Sequence, residues 1–245
     1  MNHRLDRPIW SALTTRQADI AQRVGEAVRL KPDYGVFAAA ADASAEARAA
    51  LLDMPYVPEG LWCLERDPVE PPSGLIVHHS ARCVQMVADH VVAPQPPFEV
   101  LRLGDADAAE MFALARMTEP GPFFEHTNRM GDFIGVRAKN LLIAMAGERL
   151  RPEGYTEVSG VCTHPDFRGR GYAGGLMRIV AARILARGEV PFLHSYADND
   201  GAIALYETLG FRLRSPMTLT VLARPGEGGA MAGHGAAGHG VVGHG

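Results

Sequence analysis

Long apolar runs, an excess of positive charge and paired cysteines are all scarce or absent in this chain of 245 residues. No apolar segment reaches the ~18 residues that a membrane-spanning helix needs, so we expect no membrane partner. The net charge of -4 provides no basic field for a nucleic acid or an anionic membrane. The first ten residues lack the apolar core of a secretory signal, which favours a cytoplasmic protein.

Only three cysteines are present, Cys63, Cys83 and Cys162, and they are widely spaced. Without a C-x-x-C pair, the sequence offers neither a zinc knuckle nor a redox dithiol, and we predict no metal site. Small buried thiols in a reducing compartment are the simplest interpretation. Hydrophobic residues at 47% and charged residues at 21% are typical of a globular protein and exclude wholesale disorder.

Two changes in composition divide the chain. Three prolines within residues 93–97 predict a connector, because proline ends helices and cannot donate in a sheet ladder. This boundary predicts a smaller N-terminal α/β domain at 1–95 and a second domain at 96–224. Residues 225–245 are rich in glycine and predict a disordered tail. For His234, His239 and His244 in this tail, a solvated state is favoured over weak binding of a transition metal, because imidazoles on a disordered tail offer no fixed coordination geometry.

The front domain reads as mixed α/β. Thr14 and Gln17 fit a capping box, and apolar residues from Ile20 to Val28 recur at helical spacing. Strands are predicted at 36–40, 60–65 and 75–78, with a helix at 44–52. The order of strand then helix allows a degenerate copy of the unit that follows in the second domain.

In the second domain, apolar periodicity predicts alternating strands and helices. Strands are expected at 98–103, 141–146, 155–163, 190–196 and 217–223. Helices are expected after an N-cap at Asp105, over about 171–187 and over 201–209.

The segment from 161 to 174, VCTHPDFRGRGYAG, predicts an anion site. A strand ends at Thr163, a glycine-rich turn follows, and an amphipathic helix begins near Gly171. Free N–H groups in the first turn of such a helix, together with its dipole, attract a phosphate. Arg168 and Arg170 add charged donors, so a pyrophosphate is the expected guest. No Lys-Ser/Thr follows the glycines, which excludes a triphosphate P-loop, and the degenerate G-x-G-x-x-G match is weak.

This segment resembles the acetyl-CoA signature of the GNAT superfamily of N-acetyltransferases, through Arg168-x-x-Gly171-x-Ala173. A second stretch, Asn199-x-x-Ala202-x-x-x-Tyr206-x-x-x-Gly210-Phe211, is similar to another signature of that superfamily. The resemblance covers about residues 98–223 and looks closest to a bacterial branch related to the C-terminal domain of glycine N-acyltransferases.

The resemblance implies an α/β (α+β) fold with a mixed, mostly antiparallel sheet flanked by helices. Two central strands would splay apart around the pantetheine arm of acetyl-CoA, with residues 161–163 on one and 192–196 on the other. Backbone amides from Arg168 to Gly174 would hold the pyrophosphate. The implied cofactor-binding residues are Val161, Cys162, Thr163, Arg168, Gly169, Arg170, Gly171, Tyr172, Ala173, Gly174 and Asn199, the last bonding to the cofactor arm or to nearby backbone.

The resemblance also suggests catalytic residues. Tyr206 is the candidate acid for the leaving thiolate, against the alternative of a packed aromatic. Glu157 is the candidate base, against a solvated strand glutamate, and strand alternation puts it on one face with Ser159, Val161 and Thr163. Gly160 suggests a bulge that frees an N–H for the thioester oxygen. His164 is interpreted as a turn cap, and His194 is left without a role.

The loop at 118–127 is the expected acceptor cover, although a purely structural loop is an equal alternative. Phe123 and Phe124 are candidate lining residues, with Glu119, Glu125 and His126 as polar contacts. We therefore expect an acetyl-CoA-dependent enzyme that acylates a primary amine of a small molecule or amino acid, with a homodimer as a further expectation. An acyl-CoA sensor without turnover is the alternative.

Overall fold

The computed structural model describes residues 3–55, 57–91 and 96–226. The predicted tail at 225–245 lies almost wholly outside the described residues, as does most of the proline-rich connector. The helices in the described part are α1 (Pro8–Leu13), α2 (Ala45–Leu52), α3 (Ala108–Thr118), α4 (Tyr172–Ala186) and α5 (Asp200–Thr208). The strands there are β1 (Ala21–Val24), β2 (Ala27–Leu30), β3 (Ala38–Ala40), β4 (Leu61–Glu65), β5 (Ile76–Val87), β6 (Leu101–Leu103), β7 (Phe133–Ala138), β8 (Leu141–Glu148), β9 (Tyr155–Thr163), β10 (Val190–Tyr196) and β11 (Arg212–Ala223).

Eight strands form one large sheet in the order β4-β11-β5-β10-β9-β8-β7-β6, and β1, β2 and β3 form a small second sheet. Every neighbouring pair in the large sheet is antiparallel except β9 and β10, which are parallel. The parallel pair is joined through α4, as a crossover between parallel strands requires. The predicted mixed, mostly antiparallel fold is confirmed.

Strands β9 and β10 separate along their length. They pair only at their first residues, from Val190 with Tyr155 to Phe192 with Glu157. Beyond that point neither strand has a backbone partner among the described residues on the side that faces the other. The predicted splay is therefore present, and its apex lies at Glu157 and Phe192.

Helices cover both faces of the large sheet. Leu176 and Val180 of α4 pack in one cluster with Leu193 of β10, whereas the adjacent Phe192 packs on the opposite face with Ile9 of α1. Helix α3 lies on that second face, where Met111 and Leu114 are among the residues clustered with β8. Neighbouring residues of a strand point to opposite faces of the sheet, so a sheet that is covered on both faces places them in different clusters.

The front part differs from the sequence-based expectation in one element. The residues predicted as a helix behind Thr14 form the β1–β2 hairpin, in which Val24 pairs with Ala27. Gln17 does not complete a capping box; its buried amide instead donates to the carbonyl of Arg149 at 2.8 Å and accepts from the N–H of Arg151. Tertiary hydrogen bonds therefore overrode a local helical pattern.

The predicted boundary at residue 95 does not coincide with a break in the large sheet. Strand β5, from the front part, lies between β11 and β10, from the back part. Strand β4 pairs with β11 over five residues. The division into two domains remains a prediction, but the large sheet is built by both parts. Strand β7 was not anticipated from the sequence.

No helix in the described part of the chain is long and apolar enough to cross a bilayer.

Candidate active site

The turn between β9 and α4 presents an open run of backbone. Gly169 and Gly171 have positive φ angles of 74° and 77°, which side chains other than glycine adopt at a cost. Nothing lies within 4 Å of the position that a Cβ would take at either residue. Gly171 caps α4 without a side-chain bond, and the N–H groups of Tyr172, Ala173 and Gly174 form the first turn. This geometry fits a bound anion.

Charged and polar side chains surround this turn. Arg168 and Arg170 are exposed, and Arg170 lies over the Phe167 ring at 5.1 Å. His164 accepts from the N–H of Asp166 at 3.3 Å, which confirms it as a turn cap. Asn199 caps α5 by accepting from the N–H of Ala202 at 3.2 Å, so the backbone alternative for its side chain is the one observed.

A bulge interrupts β9 beside the gap. Two residues of β9, Gly160 and Val161, oppose the single residue Ala146 of β8, and Gly160 has a φ of 62°. The extra residue inverts the alternation, so Val158 and Val161 both pack on the α4 face. The expected shared face of Glu157 with Val161 and Thr163 is therefore wrong, although the bulge itself is confirmed.

The three residues that follow Gly160 border the gap. The side chain of Cys162 is buried on the α3 face, where burial raises its pKa to about 12. The Thr163 hydroxyl is buried and has no hydrogen-bond partner among the described residues. Val161 is half-buried. An unpartnered hydroxyl beside a gap without backbone pairing leaves hydrogen-bonding capacity for a ligand.

Tyr206 lies on α5, half-buried against the cluster under α4. Burial raises the pKa of its phenol above the ordinary value. The phenol is therefore protonated at neutral pH and can donate a proton.

Glu157 is 1% exposed and fully engaged. Its two oxygens accept from Arg149 Nε and Nη2, each at 2.9 Å, from the N–H of Leu150 at 3.3 Å and from His194 Nδ1 at 2.8 Å. Burial alone would raise the pKa of the carboxyl, but the Arg149 charge and these hydrogen bonds outweigh it and hold the pKa well below the ordinary value. The alternative of a solvated glutamate is wrong, and four donors also weigh against a free base.

The other side of His194 is equally constrained. Its Nε2 lies 2.9 Å from the amide nitrogen of Gln85, a fully buried residue of β5. The Gln85 oxygen accepts from Arg214 at 2.8 Å, and its nitrogen donates to the carbonyl of Leu5 at 2.9 Å. The Leu5 carbonyl and the Arg214 guanidinium therefore identify which end of the Gln85 amide is nitrogen and which is oxygen.

The loop at 118–127 lies against this region. Phe123 packs edge-to-face on Phe133 at 5.8 Å and is the second ring near Gly160. Phe124 packs in the same cluster as Phe37 of the front part. His126 Nδ1 lies 2.6 Å from the Asp33 carboxylate. Glu119 and Glu125 are exposed.

No group of three or more metal-ligating side chains occurs within residues 3–55, 57–91 and 96–226. The tail histidines lie outside this part of the chain.

Sequence reasoning missed three partners of the site. Arg149 reaches Glu157 across the β8–β9 hairpin, a pairing that the turn at Gly154 could have indicated. Gln85 and Arg214 carried no signal, because their strands are distant from Glu157 in sequence and are connected to it through His194 of β10 only in the folded sheet.

Comparison with known proteins decides the family. A protein from Novosphingobium aromaticivorans, assigned to the GNAT family of acetyltransferases, has a solved structure that is 47% identical in sequence. The match covers 91% of this chain and 99% of that one, with a TM-score of 0.82. The chain belongs to the GNAT family.

Further matches agree with the GNAT assignment. The family described as FR47-like protein matches residues 133–219. A GCN5-related N-acetyltransferase from Kribbella flavida shares the fold, with a TM-score of 0.55, 18% identity and coverage of 86% of this chain and 95% of that one. Since the Novosphingobium match covers 91% of the chain, the likeness extends into the front part as well.

Curated relatives match over shorter segments. The N-alpha-acetyltransferase RimI of Mycobacterium tuberculosis is 36% identical over 84 residues, which is 33% of this chain and 51% of RimI. An acetyltransferase of Yersinia enterocolitica is 40% identical over 58 residues, which is 23% of this chain and 40% of that protein. The chain thus spans about half the length of the curated relatives or less. These names support GNAT acetyl transfer in general and do not support the finer resemblance to glycine N-acyltransferases.

Proposed function

We propose that this GNAT protein transfers an acetyl group from acetyl-CoA to a primary amine of a small molecule or amino acid. The observation that carries the proposal is the loss of pairing between β9 and β10 beyond Glu157 and Phe192, directly beside the open turn at 168–174. A gap in a sheet next to an anion cradle fits a long ligand with a diphosphate at one end and a thioester at the other.

The described residues fit such a donor substrate. Gly169 and Gly171 leave the cradle free of side chains, and Arg168 and Arg170 supply positive charge at its rim. Thr163 lies in the part of β9 that does not pair with β10, and its buried hydroxyl has no partner among the described residues. Val161, Cys162 and Thr163 would offer main-chain groups to the pantetheine amides, and Asn199 would act by holding the start of α5.

The reaction needs a neutral amine, aligned reactants and a proton for the leaving thiolate. The amine nitrogen attacks the thioester carbonyl carbon, a C–N bond forms and the C–S bond breaks. Tyr206 gives its proton to the departing sulfur, the amine nitrogen loses one proton to water, and water returns a proton to the Tyr206 phenolate. An N–H freed by the Gly160 bulge would stabilise negative charge on the carbonyl oxygen.

Glu157 enters this proposal in a changed role. A carboxylate with four donors and a lowered pKa has little tendency to accept a proton. We therefore assign it to holding charge and geometry at the apex of the gap, and direct proton abstraction by Glu157 is the weaker hypothesis.

Two measurements on the full chain test the proposal. Isothermal titration with coenzyme A and acetyl-CoA should give binding in the micromolar range. Release of free thiol from acetyl-CoA should then rise with at least one amine in a panel of amino acids, polyamines and short peptides. Glycine belongs in the panel because of the sequence resemblance, and a peptide N-terminus because of the match to a segment of RimI.

A sensor that binds acyl-CoA without turnover is the alternative. It would bind acetyl-CoA and release no thiol with any amine of the panel. Absence of binding to every coenzyme A derivative would contradict both functions.

A further inference from the structure

We propose that a row of polar side chains at the apex of the gap sets the separation of β9 and β10, and so positions the arm of the donor. The row, called here the apex row, consists of Arg149, Glu157, His194, Gln85, Arg214 and Asp6. Its members act as positioning residues rather than catalytic ones, and the inference rests on the proposed function.

The location of the row is the first argument. Glu157 and Phe192 form the last backbone pair between the two strands. Two residues further along β10, His194 Nδ1 lies 2.8 Å from Glu157 Oε1. A side-chain bond therefore joins the strands immediately where their backbone bonds end, and it limits how far they move apart.

The direction of the two hydrogen bonds of His194 is the second argument. The Gln85 amide nitrogen faces the Leu5 carbonyl, so it is a donor toward His194 Nε2 as well. His194 Nε2 must then accept, which leaves the proton on Nδ1, where it donates to Glu157. One tautomer satisfies both neighbours, so the ring cannot turn over without breaking the row.

The bracing beyond His194 is the third argument. Gln85 lies directly opposite His194 in the β5–β10 ladder. Arg214 of β11 donates to the Gln85 oxygen at 2.8 Å and to Asp6 at 2.6 Å. The row thus crosses four strands of the sheet and ends in the N-terminal segment, so the position of His194 is set by strands that do not border the gap.

Because the apex row is buried, each of its polar groups needs a hydrogen-bond partner. The Glu157 and His194 side chains are 1% and 6% exposed, and Gln85 is fully buried. A buried polar row stabilises less than an apolar core of the same volume would, and it specifies one arrangement because each member needs its partner. Its position at the apex indicates that the arrangement specified is the gap.

A matched pair of amide variants tests this inference. In His194→Asn the amide nitrogen stands near the position of Nδ1 and can still donate to Glu157. In His194→Gln the amide oxygen stands near Nε2, so the contact with Gln85 survives and the bond across the gap is lost. We expect the dissociation constant for coenzyme A to rise about tenfold in His194→Gln and to stay within about twofold in His194→Asn, measured by titration calorimetry.

Glu65→Gln is the control for stability alone. Glu65 lies on β4, three strands from β10, and binds Arg7 at 2.9 Å. This variant should unfold more easily and bind coenzyme A as the wild type does. The ring nitrogens of His194 in the wild type should give the 15N shifts of a neutral ring protonated at Nδ1.

Equal affinities of His194→Gln and Glu65→Gln would overturn the inference, and so would a ring protonated at Nε2. Wild-type protein that binds no coenzyme A would instead overturn the proposed function, so the two failures are distinguishable.

Discussion

Tyr206 holds its proton on a half-buried phenol whose pKa is raised by burial. If that proton reaches the leaving sulfur, Tyr206→Phe should lower kcat about 100-fold or more, since general acid catalysis contributes about 10²–10⁴. The KM for acetyl-CoA should change less than about threefold, because the ring remains. Steady-state kinetics with the best amine of the panel measures both constants.

Tyr155→Phe is the matched control for that substitution. Tyr155 lies at the paired end of β9, where its hydroxyl contacts His3 at 3.2 Å. Its kcat should equal that of the wild type. Unchanged turnover in Tyr206→Phe would remove the acid role.

Glu157 predicts a pH dependence of stability with a definite sign. Its pKa is lower in the folded chain than the ordinary value of 4.5, so its ionised form stabilises the fold above that value. This contribution is lost as the pH falls below about 4.5 toward the folded pKa, because the unfolded chain takes up the proton first. Glu157→Gln should lower the free energy of unfolding by about 3 kcal/mol at pH 7, since a buried pair loses one partner.

Urea unfolding at pH 7 and pH 3 measures this difference, which should be smaller at pH 3. Glu153→Gln provides the control, because that side chain is 53% exposed and pairs with an exposed arginine, Arg4. A difference between wild type and Glu157→Gln that is independent of pH would contradict the linkage.

The two ends of α4 allow a prediction about a whole helix. Gly171 precedes the first turn of α4 and Gly188 follows its last turn. Their φ angles are 77° and 76°, and no atom lies within 4 Å of the position that a Cβ would take at either residue. Alanine at either position should cost about 1 kcal/mol of stability through left-handed strain. Only Gly171→Ala should also weaken coenzyme A binding, by about tenfold, because its methyl group enters the anion cradle.

Thermal unfolding and calorimetric titration of the two variants give the comparison. Equal coenzyme A affinity for both alanine variants would contradict binding of the diphosphate at the turn that contains Gly171.

The shared sheet leads to a prediction for the entire fold. Strand β5 has β11 on one side and β10 on the other, and Gln17 links the front part to the β8–β9 turn. We expect the front and back parts to unfold in one cooperative transition. Hydrogen exchange under native conditions should give β5 and β10 the same opening free energy. A lower value for β5 alone would support two independent domains divided near residue 95.

Strands β9 and β10 and helix α4 were predicted within a residue or two, because glycine, proline and apolar periodicity mark their ends locally. The β1–β2 hairpin was mistaken for a helix, since Ile20, Val24 and Val28 also fit a helical period. Val24 and Val28 lie in strands because β2 pairs with β3 and Gln17 is held by the β8–β9 turn, and both partners lie outside the segment.

The amino-acid order alone predicted the glycine-rich turn at 168–174 and the bulge at Gly160, because each depends on residues adjacent in the chain. Tyr206 came from the resemblance to the GNAT signature, and its role stays a prediction. The surroundings of Glu157 were decided only by the tertiary structure. Arg149 contacts it from the β8–β9 turn and His194 from β10, while Gln85 of β5 holds His194 in place. The charge state of a buried carboxylate depends on such neighbours rather than on its own segment.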